Sequence, residues 1–301
     1  MISILKPAVQ TTIQDLGRRG FRHLGVGRCG AMDPLSLMIG NRLVGNDEEA
    51  AGLELCMPPA RIRMDVDCAI ALTGADCSAR LDDTPVDVGR RVIVQAGQTL
   101  QLSAAREGFR AYLCISGGLD VPQVLGSRST DLQARMGGLE GRLLRGGDVL
   151  KLLPSKMRYQ APEGLSLPQI GSTIRAIPGP EFASFAPESR DTLYKTPWKV
   201  TMQSNRMGYR LEGPALVRQD TQELRSRAVF PGVIQVPPSG LPIVLMADAQ
   251  ATGGYPTIAS VVAADQWRLA QIAPGSSIHF EPCTRAAALL ALQGQTDLYA
   301  H

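Results

Sequence analysis

The stretch GVIQVPPSGLPIVLMADAQATGGYPTIASVVAADQWRLAQ, residues 232–271, places polar groups where folding alone does not demand them. Ile243-Val244-Leu245-Met246 has the composition of a buried strand. Beyond it, Asp248, Gln250 and Thr252 alternate with Ala247, Ala249 and Ala251 before the turn Gly253-Gly254-Tyr255-Pro256. A strand continuing through this run would point all three polar side chains to one face. The paired glycines permit φ > 0 or a close ligand approach, and they would fold Tyr255 over that face. Two readings stand at this point: a binding site for a polar ligand, or a strand and turn in which Asp248 serves local backbone groups.

Further segments share this density of polar and glycine residues. They are SNRMGYRLEG (204–213), GAMDPLSLMIGNRLVGN (30–46), TGAD (73–76), ISGGLDVPQVLGSRST (115–130) and GGDVLKL (146–152). Together they resemble the carboxyltransferase subunit-C family. That family includes a subunit of bacterial 5-oxoprolinase, allophanate-hydrolase-subunit-2-like proteins, an antagonist of a sporulation kinase inhibitor, and half of the urea carboxylase carboxyltransferase domain. The resemblance runs from about residue 11 to about 282. One position departs from it: the usual Q-T-T-G-G reads Gln250-Ala251-Thr252-Gly253-Gly254 here, one hydroxyl short.

Composition is that of an ordinary globular chain. A length of 301 residues suffices for two domains or one large one. The net charge of +3 is too small to suggest a nucleic-acid partner, and the basic residues are scattered apart from Arg18, Arg19, Arg22, His23 and Arg28. No apolar run approaches the ~20 residues that span a bilayer, and the first residues do not read as a secretion signal. The expected location is the cytoplasm, without membrane association. The six cysteines show no CxxC spacing and read as free thiols, Cys29 alone lying among arginines. No metal site is expected.

Short strands punctuated by glycine and proline dominate. Alternation marks strands at 109–115, 198–202 and 277–280, and others are expected at 68–73, 91–95, 99–103, 149–153, 175–177 and 233–236. Asp33 before Pro34 predicts a capped helix over 34–44, with Gly45 beyond its end. Asp265 is expected to open a helix over 266–272, and Thr284 one over 285–293 that Gly294 ends. The fold class is mainly β, with closed or nearly closed barrels and a few covering helices. The resemblance sharpens this to two cyclophilin-like β-barrel lobes, residues 1–165 and 166–301, with 154–173 as the linker.

Gly25-Val26-Gly27-Arg28-Cys29-Gly30 matches G-x-G-x-x-G but lacks the preceding hydrophobic strand of a dinucleotide fold, so its glycines are read as shaping a loop. Arg206 and Arg210 fall on one face of a strand-like segment, where two guanidiniums suit a planar oxyanion; a surface ion pair with Glu212 or Asp220 is the other reading. The turn Gly126–Asp131 offers hydroxyls and backbone donors as an anion nest or as local caps. Asp33 reads as a cap. Asn41, Asn46 and Glu54 match the family pattern and are expected to fix the fold or a contact between subunits.

The resemblance implies a subunit that opens 5-oxoproline to glutamate with ATP, alongside a subunit-B protein of related fold and a subunit-A protein. ATP would be shared with a partner. It also implies an alternative, carboxyl transfer from biotin to urea or another amide, and a regulatory alternative, binding of a kinase inhibitor. Under the first reading Asp248, Arg206 and Arg210 carry catalysis. Gln250, Thr252, Gly253, Gly254, Tyr255, Asn205, Ser127 and Arg128 then contact the amide or lactam substrate.

Overall fold

A computed structural model describes residues 1–155, 161–220 and 224–298. Residues 156–160 of the expected linker fall outside that set. The chain divides into two compact units, Met1–Arg19 with Cys29–Ile170, and Gly20–Arg28 with Gly171 onward. The assignment of Gly20–Arg28 to the second unit has no signature in the sequence.

The first unit is built on two antiparallel sheets. One contains β1 (Ile2–Lys6), β4 (Ala60–Met64), β6 (Arg80–Leu81), β7 (Thr84–Pro85), β9 (Thr99–Leu102) and β11 (Val149–Leu150), in the order β11-β1-β4-β9-β6-β7. The other contains β2 (Gln10–Gln14), β3 (Gly52–Cys56), β5 (Cys68–Asp76), β8 (Arg91–Val94) and β10 (Glu107–Ile115), in the order β2-β3-β10-β5-β8. Their inward faces share one core, with Ile2, Ile62, Leu72, Leu100 and Leu113 enclosed. Each such side chain contributes about 1.5–3 kcal/mol by leaving water.

Helix α1 (Pro34–Leu43) begins as the Asp33-Pro34 pair requires. Asp33 Oδ1 accepts from the Ser36 amide at 2.8 Å, and Pro34 fills the first helical position, where no backbone donor is needed. Asn41 donates to the Ala50 carbonyl at 2.8 Å; Asn46 donates to the Ile115 carbonyl and accepts from the Gly117 amide, both at 2.8 Å. Both asparagines therefore tie the helix end to the neighbouring loops. Below the helix, Glu54 accepts from the Tyr112 hydroxyl at 2.7 Å and from the Met32 amide at 2.8 Å. Arg110 lies 3.9 Å from the same carboxylate, and all of these side chains are buried. Burial first, and then the charges of Glu54 and Asp33, push the Tyr112 phenol well above its ordinary range, so it serves as a donor to Glu54.

The second unit is a closed barrel. Its strands are β12 (Thr173–Pro178), β13 (Trp198–Val200), β14 (Gly208–Glu212), β16 (Val233–Gln235), β17 (Ile243–Leu245), β19 (Thr257–Val261) and β20 (Ser277–Pro282), joined in the order β12-β19-β16-β17-β14-β13-β20. A two-stranded ribbon of β15 (Arg227–Ala228) and β18 (Thr252–Gly253) lies outside this ring. Helices α2 (Pro187–Lys195), α3 (Gln266–Ala270) and α4 (Arg285–Leu298) complete it. The mainly β expectation holds.

α3 opens at Gln266 behind Asp265, as expected, but it ends at Ala270 and two of the expected end signals work differently. Asp265 does not cap α3: its carboxylate instead accepts the Arg175 amide at 2.9 Å and the Arg175 side chain at 2.8 and 2.7 Å. An arginine fork outcompetes a backbone amide for a carboxylate. Gly294 does not end α4, which continues through Leu298; Thr296 donates to the Leu292 carbonyl at 3.0 Å and Gln295 to the Ala264 carbonyl at 3.2 Å. Without a left-handed φ at Gly294, nothing breaks the helix there.

Asp265 makes the fold sensitive to acid. Its burial would raise the carboxyl, but the Arg175 hydrogen bonds outweigh that and hold it below its ordinary 3.8. A carboxyl with a lower pKa folded than unfolded stabilises the fold fully above the unfolded value and loses that contribution as pH falls through the folded one. Asp265→Asn should therefore cost about 3 kcal/mol near neutral pH, and it should flatten the loss of stability of the wild type below about pH 4. Urea titrations at the two pH values measure both effects.

The cysteines are free. Burial pushes the Cys77 thiol up to about 12 and Cys68 to about 11, so neither offers a thiolate near neutral pH. Among the described residues, no helix is long and apolar enough to cross a membrane.

Candidate functional site

The glycine-rich run read from the sequence lies in the second unit, beside the end of β14. The turn before this strand is set by Asn205, whose amide donates to the Gly208 carbonyl at 3.1 Å and whose Oδ1 accepts from the Met207 amide at 2.8 Å. Arg206 is thereby presented from a turn, not from a strand. Its Nε donates to Asp248 Oδ2 and its Nη2 to Asp248 Oδ1, both at 2.8 Å, a two-point fork with each side chain 7% exposed. The Asp248 amide donates to the Arg206 carbonyl at 2.9 Å, and the Met246 amide to the Met207 carbonyl at 3.0 Å, so backbone and side chains hold the same two segments together.

The expected pairing of Arg206 with Arg210 on one face is not found. β14 starts only at Gly208, and within it Arg210 projects to solvent while Tyr209 and Leu211 enter the core. A turn residue does not share the period of the following strand. The expected alternation from 247 to 252 also fails: β17 ends at Leu245, and the chain turns through Ala247-Asp248, with the Ala249 amide bonded to the Met246 carbonyl at 3.0 Å. Ala249 is fully buried, Asp248 is held by Arg206, and the Gln250, Thr252 and Tyr255 side chains are exposed. The run is thus a buried ionic anchor followed by exposed polar groups.

Three further groups brace these residues. The Arg22 guanidinium donates through Nη2 to the Gln250 carbonyl at 3.1 Å and closely to the Val229 carbonyl. Gly25, at φ 80°, closes the short turn Arg22–Leu24 that carries it, so the glycines of the G-x-G-x-x-G match do shape a loop. Opposite Gly253 in the β15–β18 ribbon, Arg227 forks onto Glu181, with Nη1 to Oε1 at 2.7 Å. Glu181 also accepts the Thr257 amide at 2.9 Å; burial raises its carboxyl, and the Arg227 hydrogen bond and that amide together hold it below its ordinary range. Gln235 is buried against Gly253, where an added Cβ would come 2.7 Å from its Nε2. A side chain at position 253 would have to displace the Gln235 amide. Arg227, Glu181 and Gln235 carry no motif, and only the structure brings them to the site.

Ser127 and Arg128 lie in the first unit. Ser127 Oγ donates to Asp15 Oδ1 at 2.6 Å, and the Arg128 amide to Asp15 Oδ2 at 2.5 Å. The donors read as an anion nest are satisfied by a carboxylate of the chain itself.

Residues 24–282 match the family model described as the carboxyltransferase domain, subdomain A and B. The chain is 48% identical to the C-type subunit of 5-oxoprolinase from Escherichia coli (strain K12), over 98% of this chain and 95% of that protein. It is 43% identical to the corresponding 5-oxoprolinase subunit of Haemophilus influenzae, over 93% and 91%. The fold also matches the crystal structure of the K. lactis urea amidolyase, with a TM-score of 0.93 at 29% identity, over 99% of this chain and 20% of that one.

Proposed function

We propose, from the premise that this chain belongs to the family of the carboxyltransferase domain, subdomain A and B, that it is the C-type subunit of a 5-oxoprolinase. Its assigned reaction is the ATP-dependent opening of 5-oxoproline to glutamate, in complex with partner subunits. The observation that carries this reading is the near full-length identity of 48% to a protein of that name, covering 95% of it.

The local geometry supports a division of labour. The buried Arg206–Asp248 fork is a positioning element that fixes the turn from Met246 to Gln250. Arg22 anchors the carbonyl end of that turn. On this base the exposed Gln250 amide, Thr252 hydroxyl and Tyr255 phenol present donors and acceptors suited to a lactam N–H and carbonyl. The anchor fixes the backbone from which these groups project. Ala251 withholds a further hydroxyl from this face. ATP is assigned to the complex and not to named residues of this chain.

The likeness to urea amidolyase favours a second reading, carboxyl transfer to an amide, in which biotin is carried by another protein. Both reactions address a planar amide. Reconstitution with partner subunits separates them: 5-oxoproline-dependent ATP hydrolysis is expected with partners and not with the purified chain. Turnover by the single chain, or activation by urea in place of 5-oxoproline, would overturn the assignment.

A further inference from the structure

Arg18 is 1% exposed, among the most deeply buried large side chains of the protein. Its Nη2 donates to the Ser129 carbonyl at 2.5 Å. Its Nε and Nη1 are buried and meet no acceptor among the described residues. Asp15, three positions upstream, does not supply the missing charge. It directs Oδ1 to Gly17 N, Ser127 Oγ and Ser129 Oγ at 2.8, 2.6 and 2.5 Å, and Oδ2 to Arg128 N at 2.5 Å.

Arginine stays charged at any pH a protein tolerates, so burial cannot be relieved by losing a proton. An enclosed guanidinium with two nitrogens that meet no acceptor, and with no acidic partner among the described residues, is destabilising unless an anion meets it. Glycines flank Arg18 in sequence and in space. Gly17 and Gly30 have φ 83° and 90°, and a Cβ on Gly30 would lie 2.8 Å from the Gly17 amide nitrogen. Gly137, at φ 69°, passes so near that a side chain there would collide with Arg18 Nη2 and the Ser129 carbonyl. At Gly137 the glycine backbone comes up to the guanidinium with no side-chain bulk.

We infer that Arg18 holds a small planar oxyanion of the carboxylate or bicarbonate type, at a site in the first unit distinct from the residues around Asp248 in the second. A planar ion matches the flat guanidinium in two-point contact. The inference does not rest on the oxoprolinase reading.

The test is thermal unfolding of the full chain at constant ionic strength, with sodium chloride exchanged for formate, bicarbonate or phosphate. Formate and bicarbonate should each raise the midpoint by about 3 °C at ten times their dissociation constant. Arg18→Met, which keeps the length and removes the charge, should abolish that rise and, in chloride, should unfold no lower than the wild type. Arg18→Lys reports on the anion response should the methionine variant not fold, with the rise reduced at least threefold. Midpoints of the wild type that do not depend on the anion, a response to phosphate alone, or an undiminished response in the variants would each overturn the site.

Discussion

Asp248→Ala should lower the stability of the second unit by about 3–5 kcal/mol and abolish activity of the reconstituted complex. The substitution removes one member of a fork in which both side chains are 7% exposed, so the Arg206 charge remains where water cannot solvate it freely. It also releases the turn whose backbone is bonded to Arg206 and Met207. Asp248→Asn keeps the shape and one acceptor, and should cost about half as much. Chemical denaturation gives the stability change, and a loss under 1 kcal/mol for alanine would show that the pair is solvated like a surface ion pair.

A comparable loss is expected in the first unit from Glu54→Ala. Glu54 receives Tyr112 Oη and Met32 N and faces Arg110, with both charged side chains 3% exposed. Alanine leaves a buried phenol donor and a backbone amide without their shared acceptor, and removes the carboxylate charge that faces Arg110, for about 3–5 kcal/mol. Glu54→Gln preserves an acceptor and should lose less. Because typical domains are stable by about 5–15 kcal/mol, the alanine variant should still show a measurable transition. The assay of the complex, corrected for the folded fraction, should change little, since these groups lie under α1 and are spent on one another.

Periodic and capped elements were readable from the sequence for physical reasons. The sequence alternation of 109–115 located the Glu107–Ile115 strand, although the strand is buried on both faces from Arg110 onward, and Asp33-Pro34 is a helix start with a side-chain acceptor and a preset φ. Strand β2, Gln10–Gln14, gave no such signal because its polar residues face inward: Gln14 Nε2 donates to Thr12 Oγ1 at 3.0 Å and to the Thr130 carbonyl at 3.3 Å. The second of those partners comes from distant sequence, which a local pattern does not register.

The same limit applies at the site. Asp248, Arg206, Gln250 and the glycine turn drew attention as polar residues at the end of an apolar run. Whether Arg206 continues a strand or sits in a turn depends on Asn205 and on backbone bonds to residues some forty positions away. Arg22 and Arg18 looked alike as members of one basic cluster. The fold sends Arg22 to the Gln250 carbonyl in the second unit and buries Arg18 in the first.

We propose that the Arg206–Asp248 anchored turn is what this chain contributes to a 5-oxoprolinase. It is tested most directly by 5-oxoproline-dependent ATP hydrolysis in the complex reconstituted with partner subunits, comparing wild type, Arg206→Lys and Arg210→Lys. The ammonium of lysine cannot reproduce the fork to Asp248, so Arg206→Lys should lose at least tenfold, about 1.5–3 kcal/mol, while the solvent-facing Arg210→Lys stays within about threefold. Equal activity of wild type and Arg206→Lys, with both proteins folded, would contradict the account.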